Sequence, residues 1–353
     1  MSRFWSSNTQ DLMPYVPGEQ PKEGIFIKLN TNENPYPPSP KVIEKVKNLD
    51  FATLRLYPNP DAQPLKKAIS EYYNVSDKEV FVGNGSDEVL ALIFKAFFDE
   101  NTTVAFPDIT YSFYPVYCNL FQIPFLKVPI KDDLSIDLSD YPASVAAVIF
   151  ANPNAPTGLF IEPQKIEEFL KSRPETLFVV DEAYIDFGAK SCIPLIHEYD
   201  NLLVVQTFSK SRSLAGLRVG YAIGNTSLIE GLKRVKDSFN SYPVDTIAQI
   251  AAVAALEDQD YFVSVKNRII ETREKVKNIF SQMGFFVTDS MANFLFVKIP
   301  GVSGSIALEK LRQKGILVRN FGIDRISDYL RITIGTDEEM TKVVESIKSI
   351  MAE

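Results

Sequence analysis

Residues 206–221 read QTFSKSRSLAGLRVGY. An ammonium, Lys210, stands among hydroxyls between the apolar runs LLVV (202–205) and VGYAIG (219–224), and Arg218 follows eight positions later. Burial there would depress the lysine pKa, because a low dielectric penalises the charged form, and a neutral amine is a nucleophile able to form a Schiff base. Thr207, Ser209 and Arg218 are of the types that bind a phosphate. Taken alone, the stretch reads equally as a solvated loop with an exposed lysine.

Outward from this point the chain repeats one design. TTVAFP (102–107), AAVIFANP (146–153), LFVVDEAY (177–184), LLVVQTFS (202–209) and RVGYAIG (218–224) are short β-branched runs bounded by turn residues. They are continuously apolar rather than alternating, which predicts a mostly parallel sheet covered by helices on both faces, an α/β fold. Gln63–Tyr73 has helical spacing, and EVFVGNGSDEVLALIFKAFF (79–98) reads as strand, glycine turn and helix. The division expected is an irregular, proline-rich arm over residues 1–40 that packs on the small domain or a partner subunit, a large domain over 41–244, and a smaller α+β domain over 245–353. The last contains strands in VTDSMANFLFVKIP, ILVRNF and YLRITIG.

Three further strand ends carry polar groups, where open α/β sheets place ligand sites. In GNGSDEVL (83–90), glycines permit a sharp turn, and the amides of Gly85, Ser86 and Asp87 open a helix whose start favours phosphate. An ordinary capped turn fits the same residues. In ANPNAPTG (151–158), Asn152 and Asn154 offer donors on a loop that is otherwise unremarked. Asp181 ends a buried strand in VVDEAY, so it either meets a cation or caps a neighbour.

Bulk properties narrow the classes. The 353 residues are 45% hydrophobic and 23% charged, enough for a sizeable core. A net charge of -8 argues against nucleic acid or an anionic membrane as partner, while leaving room for a local cationic pocket. Two cysteines, Cys118 and Cys192, make no disulfide framework or zinc site and suit a reducing cytosol. With one histidine, His197, placed at a helix end, no metal centre is expected. MSRFWSSNTQ lacks the pattern of a signal peptide, and the longest apolar run, near 145–151, is far short of a membrane span, so a cytoplasmic protein is expected.

The pattern SxSKxxxLAGLRxGY, here with Phe208 between its first hydroxyl position and Ser209, and the upstream DEAY together resemble the fold type I pyridoxal-phosphate enzymes, specifically the class I and II aminotransferases. The likeness runs over nearly the whole chain. PYVPG (14–18), LNTNENP (29–35), LRLYPNP (54–60) and LRITIGT (330–336) are similar to the histidinol-phosphate aminotransferase branch. The resemblance implies pyridoxal 5'-phosphate as cofactor, linked to Lys210, which also shuttles the proton. It implies Asp181 on the pyridine nitrogen and Tyr184 on the phenolic oxygen. Gly85, Ser86 and Asp87, with Thr207, Ser209 and Arg218, would hold the phosphate, and Tyr111 would stack on the ring. Tyr57 would reach the partner subunit's cofactor in a homodimer, and Tyr15, Arg319 and Arg331 would face the substrate. L-Glutamate and imidazole acetol phosphate are the implied substrates. One position departs: the family's asparagine before PTG is Ala155, leaving Asn152, Asn154 or Tyr184 for that contact.

Two activities share this scaffold, an aromatic or broad-specificity aminotransferase and a threonine-phosphate decarboxylase. A DNA-binding regulator of the same fold has no residues left for its extra module. A nucleotide-binding protein is disfavoured because GNGSDE matches neither G-x-x-x-x-G-K-[ST] nor G-x-G-x-x-G.

Overall fold

The computed structural model describes residues 2–21, 24 and 26–352. In chain order the helices are α1 Ser7–Asp11, α2 Pro40–Lys47, α3 Gln63–Tyr73, α4 Gly85–Phe97, α5 Tyr114–Phe121, α6 Pro163–Ser172, α7 Thr226–Phe239, α8 Thr246–Glu257, α9 Gln259–Gln282, α10 Gly304–Gln313 and α11 Asp337–Ala352. The strands are β1 Ile27–Lys28, β2 Val80–Gly83, β3 Val104–Pro107, β4 Phe125–Val128, β5 Ala147–Ala151, β6 Leu177–Asp181, β7 Leu202–Thr207, β8 Gly220–Gly224, β9 Phe286–Val287, β10 Phe294–Lys298, β11 Ile316–Leu317 and β12 Tyr329–Thr333. His197 closes a short 3₁₀ turn, Ile193–His197.

Seven strands form one sheet in the order β2-β8-β7-β6-β5-β3-β4. All its pairings are parallel except the two made by β8. The expected mostly parallel sheet is therefore present, and the continuous apolar runs have their cause: β5, β7 and β8 are buried at every residue. One face of the sheet packs against α2, α3, α6 and α8 through residues such as Leu65, Ile166 and Ala252. The other packs against α4, α5 and α7 through Leu90, Tyr117 and Leu232. Strand β4 was not singled out from sequence. It is the sheet's edge, and Phe125, Leu126 and Lys127 are exposed, so its pattern lacks the buried signature.

The smaller antiparallel sheet β12-β10-β9 forms a second core with α9, α10 and α11, built on Phe280, Phe294, Leu330 and Val343. Core membership bears on the proposed division of the chain. Helix α8 contributes Ala248, Ala251 and Ala255 to the large sheet's face, whereas Val265 and Ile269 of α9 belong to the second core. We therefore propose the break between α8 and α9, one helix later than residue 245.

The arm is irregular as expected, apart from α1 and the two-residue β1, which pairs in parallel with β11. It touches both units of the same chain: Arg312 donates to the Glu19 carboxylate through two nitrogens, while Asn8 donates to the Leu120 carbonyl and Tyr15 stacks on Phe113.

Candidate active site

Strand order explains how distant motifs meet. Register pairs Gly83 with Gly220, Gly220 with Thr207, Asp181 with Val205, and Ala151 with Asp181. The turn before α4, the Lys210 segment, the acid and the loop after β5 therefore lie side by side at one end of the sheet, opposite β12 and the arm. Between them is a cleft of about 560 Å³. Its walls include Ser86, Asp87, Tyr111, Asp181, Tyr184 and Thr207. Ser209, Lys210, Arg218, Tyr15, Arg319 and Arg331 complete the expected set that converges there.

Lys210 Nζ donates to the Thr31 carbonyl at 3.1 Å and lies 5.9 Å from the centre of the Tyr184 ring. Burial, assisted by the Arg331 charge, lowers its pKa to about 8 against the opposing pull of Glu33 and Asp87. Roughly a tenth of the amine is thus neutral at pH 7, far more than for an ordinary lysine. Burial lifts the Asp181 carboxyl to about 6, although Tyr114 donates to its Oδ2 at 3.1 Å and the Ala183 amide to its Oδ1 at 3.2 Å. Both readings of Asp181 hold in part: it caps a neighbouring amide and shares the cleft with cations.

The anion cradle is built on two glycines. Gly85 has φ +80°, a region that favours glycine, and a β-carbon there would stand 2.5 Å from Arg218 Nη2. Gly220 lies directly under the turn, where a β-carbon would overlap the Ser86 amide. Arg218 lies over the cradle, bonded to Asp87 Oδ2 at 3.1 Å and near Ser209 Oγ at 3.4 Å. Thr207 Oγ1 donates to Ser209 Oγ at 3.0 Å and accepts the Ser209 amide, which sets the segment's curvature. Tyr111 donates to Asp87 Oδ1 at 2.7 Å.

On the opposite wall, the Arg331 guanidinium lies over Phe294 and Phe321 and donates one bond, to the Asn30 carbonyl. Among the described residues its buried Nε has no hydrogen-bond partner. Such a group is an invitation to an anion. Tyr15 stacks on Phe113 with ring centres 4.3 Å apart, forming the cleft's side.

Three expected residues stand apart. Asn152 and Asn154, expected as ligand donors, are not among the residues that line the cleft. The Asn152 amide exchanges bonds with Ile161 N and O, and Asn154 bonds the Ile109 carbonyl, Thr157 and Thr110. Both are spent on bracing the loop. Tyr57 is 82% exposed and stacks on Tyr242, away from the cleft. Sequence reasoning missed Tyr114 and Asn32. Asn32 lies in the quoted LNTNENP, yet its partners Thr333, Asn293 and Tyr184 are all far along the chain.

The donor set fits a phosphorylated aldehyde such as pyridoxal 5'-phosphate: an amine, a strand-end acid, a glycine cradle and the Arg331 guanidinium converge on one cavity. With this strand order the molecule is a fold type I transferase. The model for aminotransferase class I and II matches residues 24–347, and the chain belongs to that family. The histidinol-phosphate aminotransferase of Clostridium acetobutylicum is 51% identical over 352 residues, covering 100% of both chains. Histidinol-phosphate aminotransferase 1 of Bradyrhizobium diazoefficiens is 51% identical, covering 99% of this chain and 100% of its own. The crystal structure of the Sinorhizobium meliloti histidinol-phosphate aminotransferase in complex with pyridoxal-5'-phosphate matches with a TM-score of 0.89 at 25% identity, covering 99% of each chain.

Proposed function

We propose that the protein moves an amino group from L-glutamate to imidazole acetol phosphate, giving 2-oxoglutarate and L-histidinol phosphate, with pyridoxal 5'-phosphate held on Lys210. Two observations support this: the full-length relatives of about half identity carry that name, and Lys210 shares a cleft with paired arginines. Bound there, the cofactor supplies an aldehyde for the amine and a ring that accepts electrons from the substrate carbon.

The chain's own groups do the rest. Lys210, poised near pH 8 by burial, is the base that takes a proton from the substrate carbon and returns it. Asp181 would meet the ring nitrogen and keep it protonated, a partner that would offset the carboxyl's own cost of burial. The Gly85–Asp87 amides, Ser209 and Arg218 bind the phosphate. Tyr111 would cover the ring and Tyr184 would meet its phenolic oxygen. Arg319 and Arg331 receive the glutamate carboxylates in one half-reaction and the substrate phosphate in the other.

A homodimer belongs to the same proposal. Phe51, Leu54, Leu56, Tyr57, Phe239 and Tyr242 are exposed, and the Tyr57–Tyr242 stack joins the two segments that carry them. A second copy would cover that apolar strip and bring Tyr57 to its cofactor. A cytoplasmic location is supported by two unpaired, buried cysteines. No helix among the described residues is long and apolar enough to cross a membrane.

The test is the visible spectrum of the cofactor-loaded protein mixed with single amino donors. Bleaching by glutamate and histidinol phosphate is expected. Bleaching by phenylalanine alone would point to an aromatic aminotransferase, and carbon dioxide release from threonine phosphate to the decarboxylase.

A further inference from the structure

Position 155 carries no polar side chain, and the amides of Asn152 and Asn154 are consumed within their loop. The Tyr184 hydroxyl is different. Tyr184 lines the cleft, and its hydroxyl accepts from Asn32 Nδ2 at 2.9 Å. Among the described residues it donates to no protein acceptor.

Asn32 is itself locked. It is 1% exposed, has φ 58°, and its carbonyl accepts from Asn293 Nδ2 at 3.0 Å. Its backbone N–H donates to Thr333 Oγ1 at 3.1 Å, and that hydroxyl donates to Asn32 Oδ1 at 2.9 Å. With Oδ1 turned to Thr333, Nδ2 must face Tyr184, and a phenol that accepts there has its own hydrogen free for the cleft.

We propose that Asn32 is a positioning residue that commits the Tyr184 hydroxyl to donate into the cleft, onto the phenolic oxygen of the ring held at Lys210. The inference rests on the proposed cofactor reading and adds a residue outside the cofactor's own contacts. The alternative orientation, in which Tyr184 donates to Asn32, would remove that donor. A hydrogen bond to the phenolic oxygen stabilises it as an anion and weakens its hold on the proton of the neighbouring Lys210 nitrogen. Asn32 therefore lowers the pH at which that linked nitrogen titrates.

The readout is the pH titration of the visible band of the cofactor-loaded protein, which needs no turnover. Asn32→Gly deletes the amide while keeping a residue at ease with positive φ. The midpoint should rise by about one pH unit, the scale of one lost charge-assisted bond. Tyr184→Phe should raise it at least as far, and Asn32→Gly added to Tyr184→Phe should change nothing further. Thr333→Val, which frees the Asn32 amide to turn, should give a smaller rise. A midpoint unmoved by Asn32→Gly overturns the inference, as does an equal rise in the Tyr184→Phe background. Absence of any Lys210-dependent band in the wild-type protein overturns the cofactor reading as well, so the two failures are distinguishable.

Discussion

Arg319 and Arg331 face each other across an antiparallel bridge, the Arg319 amide donating to the Arg331 carbonyl at 3.0 Å and the Arg331 amide to the Arg319 carbonyl at 2.8 Å. Like charges in register oppose folding. Burial and the nearby Arg319 charge push the Arg331 pKa down. An anion between them relieves both terms. Arg331→Ala should lower kcat/KM for glutamate by ~100-fold or more, the scale of a lost charged hydrogen-bond pair. Arg319→Ala should cost less, because Arg319 also reaches the Val16 carbonyl and is not aimed at the cleft alone. Steady-state kinetics check both.

Gly220→Ala tests the cradle. The added methyl overlaps the Ser86 amide and must displace the turn before α4. Cofactor affinity should fall ~10-fold or more, with a loss of thermal stability of roughly 1–3 kcal/mol from overpacking. Fluorescence titration with the cofactor and a melting curve measure the two effects.

The cofactor-free protein should carry an acid-side signature from Asp181. Its folded pKa, about 6, lies above the ordinary carboxylate value of 3.8. The folded state therefore holds the proton more tightly, and the associated stability is present at low pH and lost as pH rises through 6. The loss is on the order of 3 kcal/mol across that window. Asp181→Asn should flatten the dependence between about pH 4 and 6, measured by denaturant titration at several pH values.

Lys210 acts in the opposite direction. Its folded pKa of about 8 is below the ordinary 10.5, so its contribution is favourable above 10.5 and lost as pH falls through 8. Removing the charge with Lys210→Met should stabilise the cofactor-free protein at pH 7 by on the order of 1 kcal/mol, allowing for solvent screening. A lower melting temperature in this variant would contradict the buried-amine account.

The exposed strip at Phe51–Tyr57 and Phe239–Tyr242 predicts self-association. Phe51→Glu or Phe239→Glu should shift the mass measured by light scattering from dimer to monomer. Activity should fall with it, as Tyr57 would no longer reach a neighbouring site.

Much of the site was legible because its chemistry sits at the ends of continuous apolar strands. Lys210, Asp181 and the Gly85–Asp87 turn each follow a buried run, and the sheet order brings those ends together. What was not legible depends on partners distant in the chain. Nothing local in LNTNENP says that Asn32 bonds Thr333 and Tyr184, 301 and 152 residues away. Asn152 and Asn154 looked available because their acceptors, Ile161 and Ile109 among them, are backbone groups invisible to a reading of side chains. Helix α8 follows the expected boundary at residue 245 yet packs on the large sheet, and its alanine-rich sequence carries no sign of which core receives it.

Borohydride reduction of the cofactor-loaded protein, followed by peptide mass mapping, tests the central claim most directly. The account predicts one pyridoxyl-phosphate adduct, on the peptide containing Lys210, absent from a folded Lys210→Ala variant. An adduct on another lysine, or full turnover by Lys210→Ala, would contradict it.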